Sequence, residues 1–304
     1  MSPDSRIVEP GRMEAPAGAI RFLSLPGPDL FAVRAGRFLE LSGRHPLGDY
    51  FSFLALLAEA QQHAMERFPA PGKRTAPSDN GEPPLHALTI PRESAWREGL
   101  AMILERMEGA DLPEAARETI AALSVAGESA LEDEAERILS GNLANVAPRR
   151  LPFVSAALQL HWVRMAQSLE EGAVGLPQEA ARCPVCGSPP VGGVVRGSGA
   201  ERGLRYLSCS LCAAQWHRVR ITCSNCAATG GIDYYTLKGS DGAVKAESCE
   251  GCGTYLKLFY LEKESRMEAM ADDLATISLD MLMAEEGKAR SAVNLFFHPG
   301  SEPG

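Results

Sequence analysis

Apolar residues recur at helical spacing through the first half of the chain. Phe51, Leu54, Leu57, Ala58, Gln61, Met65 and Phe68 follow the helical repeat, with Gln61 the one polar member. That spacing predicts a long helix after Pro46, stopped by Pro69. Leu30 to Leu41 reads as a shorter helix, with Asp29 as its N-cap after Pro28. Further helices are predicted at about Pro91 to Met107, Pro113 to Leu123, Glu128 to Leu139 and Leu151 to Leu169. In the last of these, Val154, Leu158, His161, Trp162 and Met165 share a face, and His161 reads as a hydrogen-bonded core residue. Pro69 to Pro84, rich in Pro, Gly, Lys and Asp, reads as a mobile loop.

The pattern changes after Gly175. Between Cys183 and Leu261 short β-type runs alternate with glycines and turn signals, and Gln215 to Ile221 and Tyr255 to Leu261 read as strands, each following a cysteine pair. Glu262 to Glu286 returns to helix. Its stripe of Met267, Met270, Leu274, Ile277 and Met281 is expected to pack in the core, and Asp272 and Asp273 to lie on its polar face. The tail from Gly287 reads as irregular. The expected fold is α+β: a helical domain over 1–175, a ribbon region over 176–262, and a C-terminal helix and tail over 263–304 packing back on the helical domain.

Cysteine usage sharpens this picture. All eight cysteines lie in Cys-x-x-Cys pairs: Cys183/Cys186, Cys209/Cys212, Cys223/Cys226 and Cys249/Cys252. Shifted by 40 residues, the first two pairs fall on the last two without a gap; Gly199 meets Gly239, Ser208 meets Ser248 and Arg205 meets Lys245. A fixed period implies a repeated structural unit. A Cys-x-x-Cys turn aims two sulfurs at one point about 2.3 Å from a metal, and Gly187 and Gly253 ease the tight turn. The residues between the pairs can run out and back as a hairpin, which makes each unit a zinc-ribbon or rubredoxin-like module. The repeat favours Cys183, Cys186, Cys209 and Cys212 as one metal site, and Cys223, Cys226, Cys249 and Cys252 as the other. Crossed pairings would need an interlocked fold. Zinc and iron both suit such donors, and an iron–sulfur cluster also takes four thiolates. His217, near Cys212, is a lesser candidate ligand. Arg218, Arg220 and Lys257 read as cations on a solvated strand face.

Length and charge bound the remaining options. The 304 residues suffice for two domains, and the 45% hydrophobic content is that of a globular protein. A net charge of −9 argues against general attraction to nucleic acid or anionic membrane, although Arg182, Arg196, Arg202, Arg205, Arg218 and Arg220 give the ribbons a mild basic bias, and Trp216, Tyr234 and Tyr235 could stack on bases. No apolar run is long enough to span a bilayer, and Met1 to Pro28 lacks the layout of a secretory signal, so the expected compartment is the cytoplasm. Reducing conditions there favour metal ligation over disulfides. No phosphate loop, nucleophile elbow or zinc-protease motif occurs, and both quartets are closed, so no enzyme is read.

Several segments resemble the formate dehydrogenase accessory protein family, FdhE: Cys183 to Pro190, Arg205 to Cys212, Lys245 to Lys257, Ala271 to Asp280 and His45 to Tyr50. The resemblance runs from about Gly36 to Asn294. It implies a cytoplasmic maturation factor that contacts the catalytic subunit of respiratory formate dehydrogenase before export. It implies the eight cysteines above as ligands of two metal ions, with iron favoured and zinc open. A second copy of the chain is the other partner left open.

Overall fold

Six α-helices precede the ribbon region in the computed structural model, which describes residues 20–68, 72, 82–170, 173–175 and 181–297. Most of the expected loop at 69–84, and the chain before residue 20 and after 297, lie outside the described residues. The helices are α1 (Leu30–Ser42), α2 (Gly48–Arg67), α3 (Ala95–Glu108), α4 (Glu114–Ser124), α5 (Glu128–Leu139) and α6 (Leu151–Gln167). On α2 the residues Phe51, Leu54, Leu57, Ala58 and Gln61 are all buried. The Gln61 side-chain amide donates to the Ala156 carbonyl at 2.9 Å, which lets a polar group sit in that stripe. Asp29 holds the N-cap position of α1 but makes no side-chain cap. Helix α6 departs from the one-faced reading, because every residue from Leu151 to Ala166 is buried. It is the central post of the helical layer, and a post surrounded on all sides is apolar all round.

The ribbons form one sheet. Its strands are β1 (Leu23–Ser24), β2 (Pro190–Val195), β3 (Arg205–Cys209), β4 (Gln215–His217), β5 (Ile232–Tyr235), β6 (Val244–Cys249), β7 (Thr254–Tyr260) and β8 (Ala289–Arg290). The order is β1-β4-β3-β2-β7-β6-β5, with β8 added to β7. Strands β2, β3 and β4 are an antiparallel trio, and 40 residues later β5, β6 and β7 repeat it. The trios fuse through a parallel pairing of β2 with β7, Gly193 opposite Leu258 and Val195 opposite Tyr260. Glycine permits the close approach. A Cβ on Gly192 would lie 2.5 Å from the Phe259 ring, and one on Gly193 would lie 2.5 Å from Leu258 Cδ2.

The C-terminal part differs from the single helix expected. The stretch from Glu262 stays in turns, α7 covers Ala269–Ala275, and α8 covers Ile277–Glu285. Glu268 caps α7, its carboxylate accepting from the Ala271 amide at 2.9 Å. Thr276 is non-helical and donates its hydroxyl to the Asp272 carbonyl at 2.8 Å. The break resets the helical phase. Met270 and Leu274 stay buried, Met281 is 64% exposed, and α8 turns Leu279 and Met283 toward Ala246 and Tyr255 instead. The tail is not irregular throughout, since it supplies β8 and buries Asn294, Leu295 and Phe296.

Three charged residues expected at the surface are inside. Asp272, Asp273 and Lys257 are each under 5% exposed. Asp272 takes a bidentate pair from Arg37 of α1, with contacts of 2.6 and 2.9 Å. Lys257 of β7 meets Asp273 at 2.8 Å and Asp280 at 2.6 Å, and Arg290 of β8 meets Asp273 at 2.6 Å. Mutual pairing is what lets these charges be buried. They join α1, the C-terminal helices and the sheet.

Candidate metal centres

Four turns of one design carry the cysteines. In each, the residue after the second cysteine adopts the left-handed conformation: Gly187 (φ +72°), Ala213 (+57°), Ala227 (+63°) and Gly253 (+68°). Small residues accept that conformation at least cost, and the turn aims main-chain N–H groups at the first sulfur. The amides of Val185, Leu211 and Asn225 each lie 3.4 Å from the Sγ of Cys183, Cys209 and Cys223. Such N–H groups stabilise a thiolate.

The turns converge in two groups, Cys183 with Cys186, Cys209 and Cys212, and Cys223 with Cys226, Cys249 and Cys252. Within each group the sulfurs lie within 4.8 Å of one another. The closest pairs are Cys186–Cys209 at 3.4 Å, Cys183–Cys212 at 3.6 Å, and Cys223–Cys252 and Cys226–Cys249 at 3.7 Å. A disulfide needs about 2.05 Å. Four sulfurs about 2.3 Å from a central ion have tetrahedral edges of about 3.8 Å. The separations match the second geometry, and all eight cysteines are free thiols. Burial pushes the Cys183 and Cys212 thiols well above their ordinary range. Four thiolates cannot share so dry a space without a cation, so this donor set fits a soft divalent or trivalent ion. His217 belongs to neither group; it lies on β4, edge-on to Tyr206 at 5.5 Å. His161 is buried in α6 against Trp162.

The two quartets differ in surroundings. All four cysteines of the first are buried. The helical domain grips its turns directly. The Leu85 amide donates to the Val185 carbonyl and the Ala87 amide to the Cys186 carbonyl, both at 2.9 Å. Trp162 Nε1 donates to the Leu85 carbonyl at 3.0 Å, and Gln159 Nε2 of α6 donates to the Ser210 carbonyl at 2.8 Å. Neither Leu85–Ala87 nor Gln159 carries a motif that could have announced this role. In the second quartet Cys226 is exposed and Cys252 half-buried. Burial opposes ionisation of Cys252, but hydrogen bonds from the hydroxyl and amide of Thr254, with those of Asn225 and Cys226, together bring the thiol down to about 6.

Three of the six arginines behind the basic bias of the ribbons are paired with carboxylates. Arg196 pairs with Glu201, Arg202 with Glu262 and Arg205 with Glu247, and Trp216 is buried.

Two closed sulfur quartets on fused three-stranded ribbons, docked to a mainly helical domain, define a double zinc-ribbon protein. The chain belongs to the FdhE family of formate dehydrogenase accessory proteins. Family models for the FdhE N-terminal, central and C-terminal domains match residues 20–177, 182–220 and 221–297, so the central and C-terminal models hold one quartet each. The chain is 38% identical to the protein FdhE homolog of Stutzerimonas stutzeri, over 97% of this chain and 98% of that one. It is 40% identical to protein FdhE of Escherichia coli O139:H28, over 90% of this chain and 89% of that one. The crystal structure of the FdhE protein from Pseudomonas aeruginosa superposes with a TM-score of 0.83 at 38% identity, covering 92% of this chain and all of that one.

Proposed function

We propose that this protein is a cytoplasmic accessory factor that binds the catalytic subunit of formate dehydrogenase before export. Each sulfur quartet holds one metal ion, iron in preference to zinc. Cys183, Cys186, Cys209 and Cys212 ligate the first, and Cys223, Cys226, Cys249 and Cys252 the second. The observation that carries the metal reading is the spacing of the sulfurs, 3.4 to 3.7 Å in the closest pairs, on turns whose amides face them. With four protein donors per site no coordination position stays open for substrate, so the ions pin the ribbons and the protein acts by binding its client rather than by catalysis. Family membership supports the client.

A second reading, an iron–thiolate redox role toward the dehydrogenase, draws on the exposure of Cys226, which brings the second centre to the surface. Elemental analysis with a visible spectrum on anaerobically prepared protein tests the metal reading, with two ions per chain expected and none overturning it. Co-purification with the catalytic subunit, with and without Cys→Ser changes, tests the client. No association under anaerobic conditions would overturn the accessory role. A colourless zinc-filled protein that still supports the dehydrogenase would exclude the redox role.

A further inference from the structure

The link between the two ribbons is held in an unfavourable shape. Ile221 has φ +66°, a left-handed conformation that a β-branched residue rarely adopts. The other non-glycine residues with positive φ among those described are alanines, Ala213 and Ala227. Ile221 gains nothing from burial in return, being 69% exposed, and Val219 is 62% exposed. The shape is imposed from beneath. Arg205, fully buried and ion-paired to Glu247, donates to the Val219 carbonyl at 2.6 Å and to the Thr222 carbonyl at 2.7 Å. The clamp explains the backbone of the turn but not its side chains: Val219 and Ile221 stand exposed as an aliphatic tip on a strained link, which points to recognition.

Beside this link lies a shallow hollow of 430 Å³, lined by Arg220, Ile221, Tyr234, Lys245 and Tyr260. Its charge is unanswered. Among the described residues no carboxylate lies within ion-pair distance of Arg220 or Lys245. The nearby Glu247 carboxylate is already taken by Arg205 and by the Tyr234 hydroxyl, which donates at 2.9 Å. In a chain of net charge −9 this is a local positive surface with an aliphatic tip. Tyr234 of β5, Lys245 of β6 and Tyr260 of β7 set the hollow across three neighbouring strands at the end of the sheet, a surface that an extended segment can cross. Stacked bases fit poorly, because the Lys245 ammonium sits over the Tyr260 ring, 5.1 Å from its centroid.

We infer that this hollow docks an extended segment of another protein that carries a carboxylate beside an aliphatic or aromatic side chain. The carboxylate meets Arg220 and Lys245, and the apolar side chain packs on Ile221. That the segment belongs to the dehydrogenase subunit rests on the accessory reading; the chemistry of the surface does not.

Fluorescence anisotropy on the full-length, metal-loaded protein tests this with two labelled twelve-residue peptides, one alternating Glu and Leu, the other Lys and Leu. The acidic peptide is expected to bind at least tenfold more tightly, and Arg220→Glu with Lys245→Glu to abolish the difference. Ile221→Gly is expected to weaken binding at least threefold while the melting temperature stays the same or rises, because glycine accepts the left-handed conformation. Equal affinity for both peptides, no binding of the acidic one, or indifference to the charge reversals would overturn the inference, as would a twenty-residue oligothymidylate that displaces the peptide. If the peptide binds as expected but the intact catalytic subunit does not, the accessory reading fails and the docking surface stands.

Discussion

Lys257 Nζ lies 2.8 Å from the Asp273 carboxylate, and both side chains are almost wholly excluded from solvent. Arg290 closes on the other side of Asp273 at 2.6 Å, and Asn294 donates to it at 2.8 Å. Asp273→Asn therefore leaves two cations to share the single carboxylate of Asp280, 2.6 Å from Lys257 and 3.4 Å from Arg290. The expected loss is about 2–3 kcal/mol of unfolding free energy, below the scale for leaving a buried charge with no partner at all. Urea or guanidinium titration of the two proteins measures it.

The same carboxylate gives a pH dependence. Burial pushes Asp273 up, but Lys257 and Arg290 outweigh it and hold the group below its ordinary carboxylate range. A carboxyl with a folded value below its unfolded one contributes stability that is complete above about pH 4, the unfolded value, and is lost as pH falls through the folded value. The stability gap between wild type and Asp273→Asn should be constant near neutrality and shrink below about pH 4. Unfolding titrations at a series of acid pH values check this; a gap that widens on acidification would contradict it.

Gln159 joins the helical post to the first sulfur quartet. Its amide nitrogen donates to Ser210 while its oxygen accepts from Arg34 at 3.0 Å. Gln159→Leu keeps the volume but leaves the Ser210 carbonyl and an Arg34 donor unmatched, at about 1–3 kcal/mol. Hydrogen exchange should speed up at the Leu211 and Cys212 amides, and far less at Asn225 and Cys226 in the other quartet.

If each quartet holds an ion, the unequal burial of Cys183 and Cys226 makes their loss unequal. A chelator should remove metal in two phases of equal amplitude, the fast phase from the exposed quartet and the slow one limited by opening of the domain contact. Alkylation followed by peptide mass mapping should find Cys226 and Cys252 labelled before any of Cys183, Cys186, Cys209 and Cys212. A single phase with uniform labelling would contradict this ordering.

Gly192 tests the seam between ribbons. In Gly192→Ala the new Cβ would stand 2.5 Å from the Phe259 ring and 3.1 Å from the Lys257 carbonyl oxygen. One of the two strands must shift, at about 1–3 kcal/mol. Thermal unfolding of the variant measures this.

The grouping of the sulfurs and the 40-residue period were open to reading because both are local patterns: a turn fixes each pair, and the second trio of strands copies the first. The helices were legible for the same reason, as with Phe51 to Gln61 on α2. What escaped depends on contacts distant in sequence. Lys257, Asp272 and Asp273 look like surface residues until their partners, Arg37 and Arg290, arrive from elsewhere in the chain. Ser and Thr hydroxyls interrupt helices only where the surroundings reward it, and nothing in the spacing around Thr276 announced a break. The parallel β2–β7 seam has no local signature beyond two adjacent glycines.

That seam has a consequence for biosynthesis. Strand β2 emerges from the ribosome some sixty residues before the strand that flanks it, since it begins at Pro190 and β7 begins at Thr254. Until then the early ribbon carries a bare strand edge of Val and Gly, a natural template for pairing with the wrong chain. Translation that stalls between the ribbons should therefore yield sticky fragments, and the protein becomes safe to release only when its second half has sealed the first.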